Sequence, residues 1–130
     1  MKRPTRGILI AGLYLVVLAR FLTVDYEWAH AHQRRYLLEV RYASVAALVK
    51  DVLVNVGAFT VAGWLLGRAV RDVTVSRRAR VWVVGGCCAL FSLGMETVQF
   101  FIPSRYSSAV DVLTDTAGAV LGAWLATRWE

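Results

Sequence analysis

The segment ETVQFFIPSRYSSAVDVLTDTAG, residues 96–118, sets polar side chains between two long apolar stretches. Its strongly polar members are Glu96, Gln99, Arg105, Asp111 and Asp115. The proline at position 103 and the small polar residues that follow it are typical of a short connection. The segment is therefore predicted to end one helix, to turn within residues 103–108 and to begin the next helix.

The composition is that of an integral membrane protein. Hydrophobic residues make up 58% of the 130 residues, charged residues only 18%, and the mean hydropathy is +0.53. In a soluble domain, about a quarter of all residues are usually charged. In a soluble protein, the net charge of +6 would suggest that the protein binds nucleic acid. Here the basic residues lie between apolar blocks, which favours membrane lipids as partners and no nucleic acid.

Four apolar segments are each close to the roughly 20 residues that cross about 30 Å of hydrocarbon. They cover approximately residues 7–24, 44–67, 81–102 and 109–127. Helices are favoured over strands because an open sheet cannot lie in lipid and four short strands cannot close a barrel. We predict an all-α, four-helix membrane bundle that forms one domain over residues 1–130.

The basic residues also predict the orientation. They are densest in RAVRDVTVSRRAR, residues 68–80, which the positive-inside rule places in the cytoplasm together with both termini. The predicted location is the inner or plasma membrane, with several passes. The first segment also resembles a cleavable signal peptide, but Arg20, Asp25 and Glu27 lie before the AHA sequence at 29–31 and argue against cleavage.

An internal repeat relates the two halves of the chain. RYASVAALVKDVLVN at 41–55 matches RYSSAVDVLTD at 105–115 if a gap of four residues is allowed before the aspartate, and a Trp-Leu pair follows each aspartate at the same distance. The matched positions are Arg41 and Arg105, Asp51 and Asp111, Asn55 and Asp115, and Trp64 and Trp124. We interpret the halves as two helical hairpins of common descent, related by a pseudo-twofold axis along the membrane normal.

Helical periodicity places polar groups at one end of a small-residue face on three helices. Asp111, Asp115, Gly118 and Gly122 lie at i, i+4, i+7 and i+11, and the two glycines form a GxxxG step that permits close helix packing. The other two faces comprise Gly85, Cys88, Ser92, Glu96 and Gln99, and Asp51, Asn55, Ala58 and Ala62. We expect these faces to pack together and their polar ends to meet in an outward-facing pocket.

The polar residues at the ends of these three helix faces form a candidate site, because it costs free energy to place a charge in a membrane. An Asp, Lys or Arg at the centre of a spanning helix costs roughly 2.5 to 3.5 kcal/mol on insertion scales, so such residues should pair inside the bundle. The candidate residues are Glu96, Gln99, Arg105, Asp111, Asp115, Asp51, Asn55 and Arg41. The alternative is a polar clasp that holds the helices together and binds no ligand. The sequence contains no cofactor motif and no metal-ligand spacing.

The same residues resemble the VanZ-like membrane proteins. The family pattern E-x-x-Q-x-F-x-P-x-R, followed by D, N, G and G, maps onto Glu96, Gln99, Phe101, Pro103, Arg105, Asp111, Asp115, Gly118 and Gly122. The earlier half is similar at Asp51, Asn55, Phe59 and Gly63. Two residues depart from the pattern, since Asp115 replaces the usual Asn and Val61 the usual Pro. The resemblance implies a bacterial cell-envelope protein and, for founding members, low-level resistance to teicoplanin.

Two functions follow from this site as hypotheses. In the first, Arg105 and Arg41 hold the anionic group of an envelope lipid or lipid-linked cell-wall precursor. In the second, the protein is a membrane enzyme that acts on such a lipid by carboxylate acid/base or metal-assisted catalysis. Proton-coupled transport is a third hypothesis, which requires a homo-oligomer because four helices are few for alternating access.

Overall fold

The computed structural model describes residues 5–22, 44–73, 76–101 and 108–129. They form four helices: α1 Thr5–Leu22, α2 Val45–Ala69, α3 Arg77–Phe100 and α4 Ala109–Arg128. In these ranges the regular structure is entirely helical, and α2 and α4 make the most extensive helix contact. The predicted all-α bundle of four helices is confirmed.

Three helices are long and apolar enough to cross a membrane: Val45–Ala69, Arg77–Gln99 and Ala109–Arg128. The apolar part of α1 that the structure describes, Arg6–Ala19, is shorter. A spanning first helix therefore stays a prediction. The end of that apolar segment, residues 23 and 24, lies outside the described residues, as does residue 102 of the third segment.

Serine side chains fix the starts of three helices. Ser44, Ser76 and Ser108 each accept a hydrogen bond from a backbone N–H in the first turn, at 3.1, 3.1 and 3.2 Å. The cap at Ser76 starts α3 at Arg77, four residues before the predicted apolar segment at 81. Hydropathy marks where the apolar run begins, whereas the serine cap marks where the helix begins, so the arginines lie inside α3.

Helices α2 and α4 touch through their backbones along a line of small residues, which we call the α2–α4 seam. A Cβ added to Gly122 would collide with the carbonyl oxygen of Thr60 and lie 2.7 Å from the backbone nitrogen of Trp64. A Cβ on Gly118 would lie 2.5 Å from the Val56 carbonyl oxygen, and one on Gly63 would collide with the backbone of Ala119. Glycine is therefore required at these positions by the neighbouring backbone.

The contacts along the seam show that α2 and α4 run parallel and share a register. Val56 meets Gly118, 62 residues later in the chain, and Gly63 meets Ala119, 56 residues later. These separations bracket the offset of 60 residues that relates the matched positions from Asp51 and Asp111 onwards. Matched residues therefore lie at similar depths, as a twofold axis between the two helices requires.

A second feature occurs at matched positions of both helices. The Arg68 guanidinium lies over the Trp64 ring at 5.0 Å, and the Arg128 guanidinium lies over the Trp124 ring at 4.8 Å. Each arginine follows its tryptophan by one helical turn, so the same cation–π pair occurs at the C-terminal end of both helices. The repeat predicted from the sequence agrees with this equivalence.

The other two helices pack around the seam. Helix α3 approaches α4 at Gly85, where an added Cβ would lie 2.8 Å from Val120, and the Phe59 and Phe91 rings of α2 and α3 are 6.3 Å apart. Helix α1 is joined to α2 by the Tyr14 hydroxyl, which donates to the Ala58 carbonyl at 2.9 Å. The core is thus centred on α2 and α4, with α1 and α3 outside them.

Most large apolar side chains point outwards, and most residues at the helix contacts are small. Leu53, Leu90 and Leu113 are 66%, 72% and 71% exposed, whereas Ala119 and Ala123 are completely buried. In water this arrangement would expose too much apolar surface, but lipid tails are as apolar as leucine. The distribution is that of a membrane protein whose helices associate through close contact of small residues.

We predict that Gly122→Ala destabilises the bundle by about 1 to 3 kcal/mol or more, because the added methyl group has to displace the backbone of α2. Gly86→Ala in α3 is the matched control, since nothing lies within 4 Å of its added Cβ and alanine favours a helix. The measurement is the free energy of unfolding in mixed micelles titrated with SDS. Equal stability of the two variants would contradict the backbone contact.

Candidate functional site

Polar side chains of three helices gather at one end of the bundle. This end holds the first turns of α2 and α4 and the last turns of α3, since α3 runs antiparallel to α4. Two hydrogen bonds establish this direction, one between Ser92 and Asp115 and the other between Glu96 and Ser108. The residue number rises along α3 while the number of its partner in or before α4 falls. The antiparallel α3–α4 pair and the parallel seam therefore bring the three polar ends together.

Asp115 lies at the deepest point of this group. It is 5% exposed, and its Oδ2 accepts a 2.6 Å hydrogen bond from the buried Ser92 hydroxyl. Within the part of the chain that the structure describes, no donor reaches Oδ1, which is also buried. A buried carboxylate normally uses both oxygens, so Asp115 retains an acceptor that its neighbours leave unused.

Glu96 links the end of α3 to the start of α4. Its Oε2 accepts a hydrogen bond of 2.5 Å from the backbone N–H of Ser108, the N-cap residue of α4, and Glu96 is only 3% exposed. A carboxylate at this position also interacts favourably with the positive end of the α4 dipole. Glu96 therefore has a definite structural role at the connection between the two helices.

Asp111 and Asp51 bring the two matched halves of the chain together. Their side chains lie within hydrogen-bonding reach of each other, and the charges of Glu96 and Asp115 also act on Asp111. We call Asp51, Glu96, Asp111 and Asp115 the carboxyl cluster. Asp51 and Asp111 are half-buried, whereas Glu96 and Asp115 are buried, so the cluster becomes more enclosed with depth.

Asp111 also has an unused acceptor. Its Oδ1 is buried and, among the described residues, receives no hydrogen bond. Two carboxyl oxygens from α4, on Asp111 and Asp115, are thus available one helical turn apart. The described ranges contain no group of three or more His, Cys, Asp or Glu side chains placed to hold a metal ion. The available acceptors suit hydroxyl, amide or cationic donors.

The remaining predicted residues have different positions. Gln99 is buried at the same end of α3, and Asn55 is half-buried one turn below Asp51 on α2. Gly118 and Gly122 belong to the α2–α4 seam, the helix-packing role predicted for them. Arg41 and Arg105, the two predicted anion ligands, lie outside the described residues.

Two partners in the site were not predicted from the sequence. Ser92 appeared only as a small residue of the α3 face, although its place one turn before Glu96 could have suggested a donor to a facing carboxylate. The backbone N–H of Ser108 had no signal beyond its position as a helix start. Both bonds depend on the rotation of α3 against α4, which periodicity gives only approximately.

The comparisons with known proteins identify a family. The family model VanZ/LLP1 matches residues 7–130, nearly the whole chain. No curated protein and no solved structure matches. The matched region includes all four helices from residue 7 onwards and all members of the carboxyl cluster.

We predict that Ser92→Ala lowers the free energy of unfolding by about 1 to 3 kcal/mol, because it leaves the second oxygen of Asp115 buried and unpaired. Thr97→Ala is the matched control, since it removes an exposed hydroxyl that bonds only to the Leu93 carbonyl of its own helix. A double-mutant cycle with Asp115→Ala should show that the cost of Ser92→Ala largely disappears. Additive costs would contradict the Ser92–Asp115 interaction.

Proposed function

This chain belongs to the VanZ/LLP1 family, and we propose that this membrane protein binds the polar head of an envelope lipid or lipid-linked cell-wall precursor at its carboxyl cluster. The observation that carries the proposal is the pair of buried, unused acceptors on Asp111 and Asp115. Leaving such atoms unpaired costs about 1 to 3 kcal/mol each, so a donor group from outside the described helices would stabilise the site.

The chemistry of the cluster defines the kind of ligand. Carboxylate oxygens accept hydrogen bonds and cannot bind phosphate directly, so they contact the hydroxyl, amide or ammonium groups of a head group. The phosphate of the same ligand is assigned to Arg105 and Arg41, which precede α4 and α2 by a few residues in the chain. A lipid-linked precursor supplies both kinds of group, donors on its sugar or peptide and charge on its phosphates.

The position of the cluster also supports a lipid-derived ligand. Asp111 lies in the first turn of α4, and Asp51 lies in the second turn of α2, so both are near the head-group level. Asp115 lies one turn deeper and is buried. A head group could therefore reach the half-buried aspartates from the outer surface while its chains stay in the membrane. A role in glycopeptide tolerance would follow if that ligand were a wall precursor.

The experiment is a comparison of the lipids that copurify with the protein, identified by native mass spectrometry. We expect Asp111→Asn, Asp115→Asn and Arg105→Ala each to reduce one envelope species about tenfold or more, because each removes a charge that would strengthen a hydrogen bond to the ligand. Asp72→Asn is the matched control, since it removes one carboxylate from the exposed turn after α2. Identical lipid profiles in all variants would overturn the proposal.

A second candidate function is a membrane enzyme, which the contact between Asp51 and Asp111 favours. Two neighbouring carboxyl groups can serve as the general acid and the general base of a reaction. Its substrate would be the same kind of envelope lipid.

The two functions differ in their response to Asp111→Asn. An enzyme should lose turnover by a factor of about 100 or more, because general acid–base catalysis contributes at least that much. A binding protein should leave the mass of every lipid unchanged, whether or not Asp111 is replaced. The measurement is incubation of the purified protein with an envelope lipid extract, followed by a search for lipids of altered mass. Absence of any Asp111-dependent product would contradict the enzyme hypothesis. The binding proposal would then depend on the comparison of copurifying lipids alone.

A further inference from the structure

A second site lies at the opposite end of the bundle from the carboxyl cluster. There α3 begins and α4 ends, and an open cavity of about 430 Å³ lies between them. Its lining includes Arg77, Arg78 and Arg128 together with Val81, Trp82 and Trp124. We call it the arginine groove. Glu96 is 19 residues from Arg77 along α3, which corresponds to about 28 Å. The two sites are thus separated by about the thickness of the hydrocarbon core.

We propose that the arginine groove binds the head group of an anionic phospholipid of the membrane leaflet opposite the carboxyl cluster. The proposal is independent of the function assigned to that cluster. It rests on the positive charge of the groove, on its apolar walls and on the side of the membrane where the groove is predicted to lie.

The positive charge of the groove is not balanced by acidic residues in the first turn of α3. Arg77 and Arg78 occupy the first turn of α3, and that turn contains no acidic residue. The N-terminal end of a helix carries a positive partial charge, so two arginines there are unfavourable by themselves. A lipid phosphate between Arg77, Arg78 and Arg128 would interact favourably with all three guanidinium groups. The groove is therefore complementary to an anion.

The walls of the groove match the rest of a phospholipid. Val81 and the Trp82 ring continue from the arginines towards the hydrocarbon, and Trp82 is 72% exposed. Tryptophan favours the head-group level of a membrane, where one edge of its ring is apolar and the other polar. Trp124 forms the facing wall and holds the Arg128 guanidinium over its ring at 4.8 Å. A basic rim above apolar walls distinguishes a lipid from a small soluble anion.

The predicted orientation agrees with this occupant. The positive-inside rule places this end of the bundle in the cytoplasm, where anionic lipids attract basic groups at the membrane surface. Basic pockets between spanning helices on that side are known sites for anionic head groups. The exposed arginines Arg6, Arg68 and Arg71 are also predicted to lie on this side but do not line the groove.

The test is competition between phosphatidylglycerol and phosphatidylcholine, present in equal amounts, for the purified protein, measured by native mass spectrometry. The groove variant changes Arg77, Arg78 and Arg128 to Gln. The control variant changes Arg6, Arg68 and Arg71 to Gln and removes the same charge from the same side. We expect wild type and control to prefer phosphatidylglycerol and the groove variant to lose about fivefold in preference for each arginine removed.

Two results would overturn the proposal. Equal losses in both triple variants would show that surface charge alone attracts the anionic lipid, and an unchanged preference in the groove variant would show that the groove does not bind it. Since all three arginines are exposed, their replacement should not unfold the protein. The single variant Trp82→Ala gives a second measurement, because it should weaken phosphatidylglycerol binding while every charge is retained.

Discussion

The contact between the backbones of α2 and α4 determines the arrangement of the rest of the molecule. Helices in lipid gain little from burying apolar surface, so their association depends on close packing of small residues. Gly118 and Gly122 let α4 approach the carbonyl groups of Val56 and Thr60. This contact fixes the depth of α4 relative to α2, and that depth brings Asp111 next to Asp51. The position of the carboxyl cluster is thus a consequence of glycine packing further along the same helices.

The carboxyl cluster combines structural and unsatisfied groups. Glu96 bonds to the start of α4, and one oxygen of Asp115 bonds to Ser92, so both residues help to hold the helices together. The free oxygens of Asp111 and Asp115 have no such role among the described residues. A purely structural clasp would be expected to satisfy its buried acceptors, because an unpaired polar atom in a low-dielectric interior is costly. This difference supports the proposed binding site over the clasp interpretation.

Much of this arrangement could be predicted from the sequence. The apolar blocks gave the four helices, and the 3.6-residue period placed Ser92, Glu96 and Gln99 on one face of α3, where all three are buried. The start of α3 was less predictable because Ser76 caps the helix before the apolar run begins. The pairing of Ser92 with Asp115 was also missed, since it depends on the rotation of two packed helices to within a hydrogen-bond length. Predictions for Arg41 and Arg105 lie outside the described residues.

The parallel register of α2 and α4 has a consequence for how the two halves diverge. A dimer of identical hairpins would have to carry the same side chain at both matched positions, because one gene would encode both. Joining the hairpins in one chain removes that restriction. Asn55 lies at the same membrane depth as its matched residue Asp115, and Ala62 is the residue that matches Gly122. One half can therefore keep the neutral residue and the other acquire a carboxylate, which makes a symmetric scaffold hold an asymmetric site.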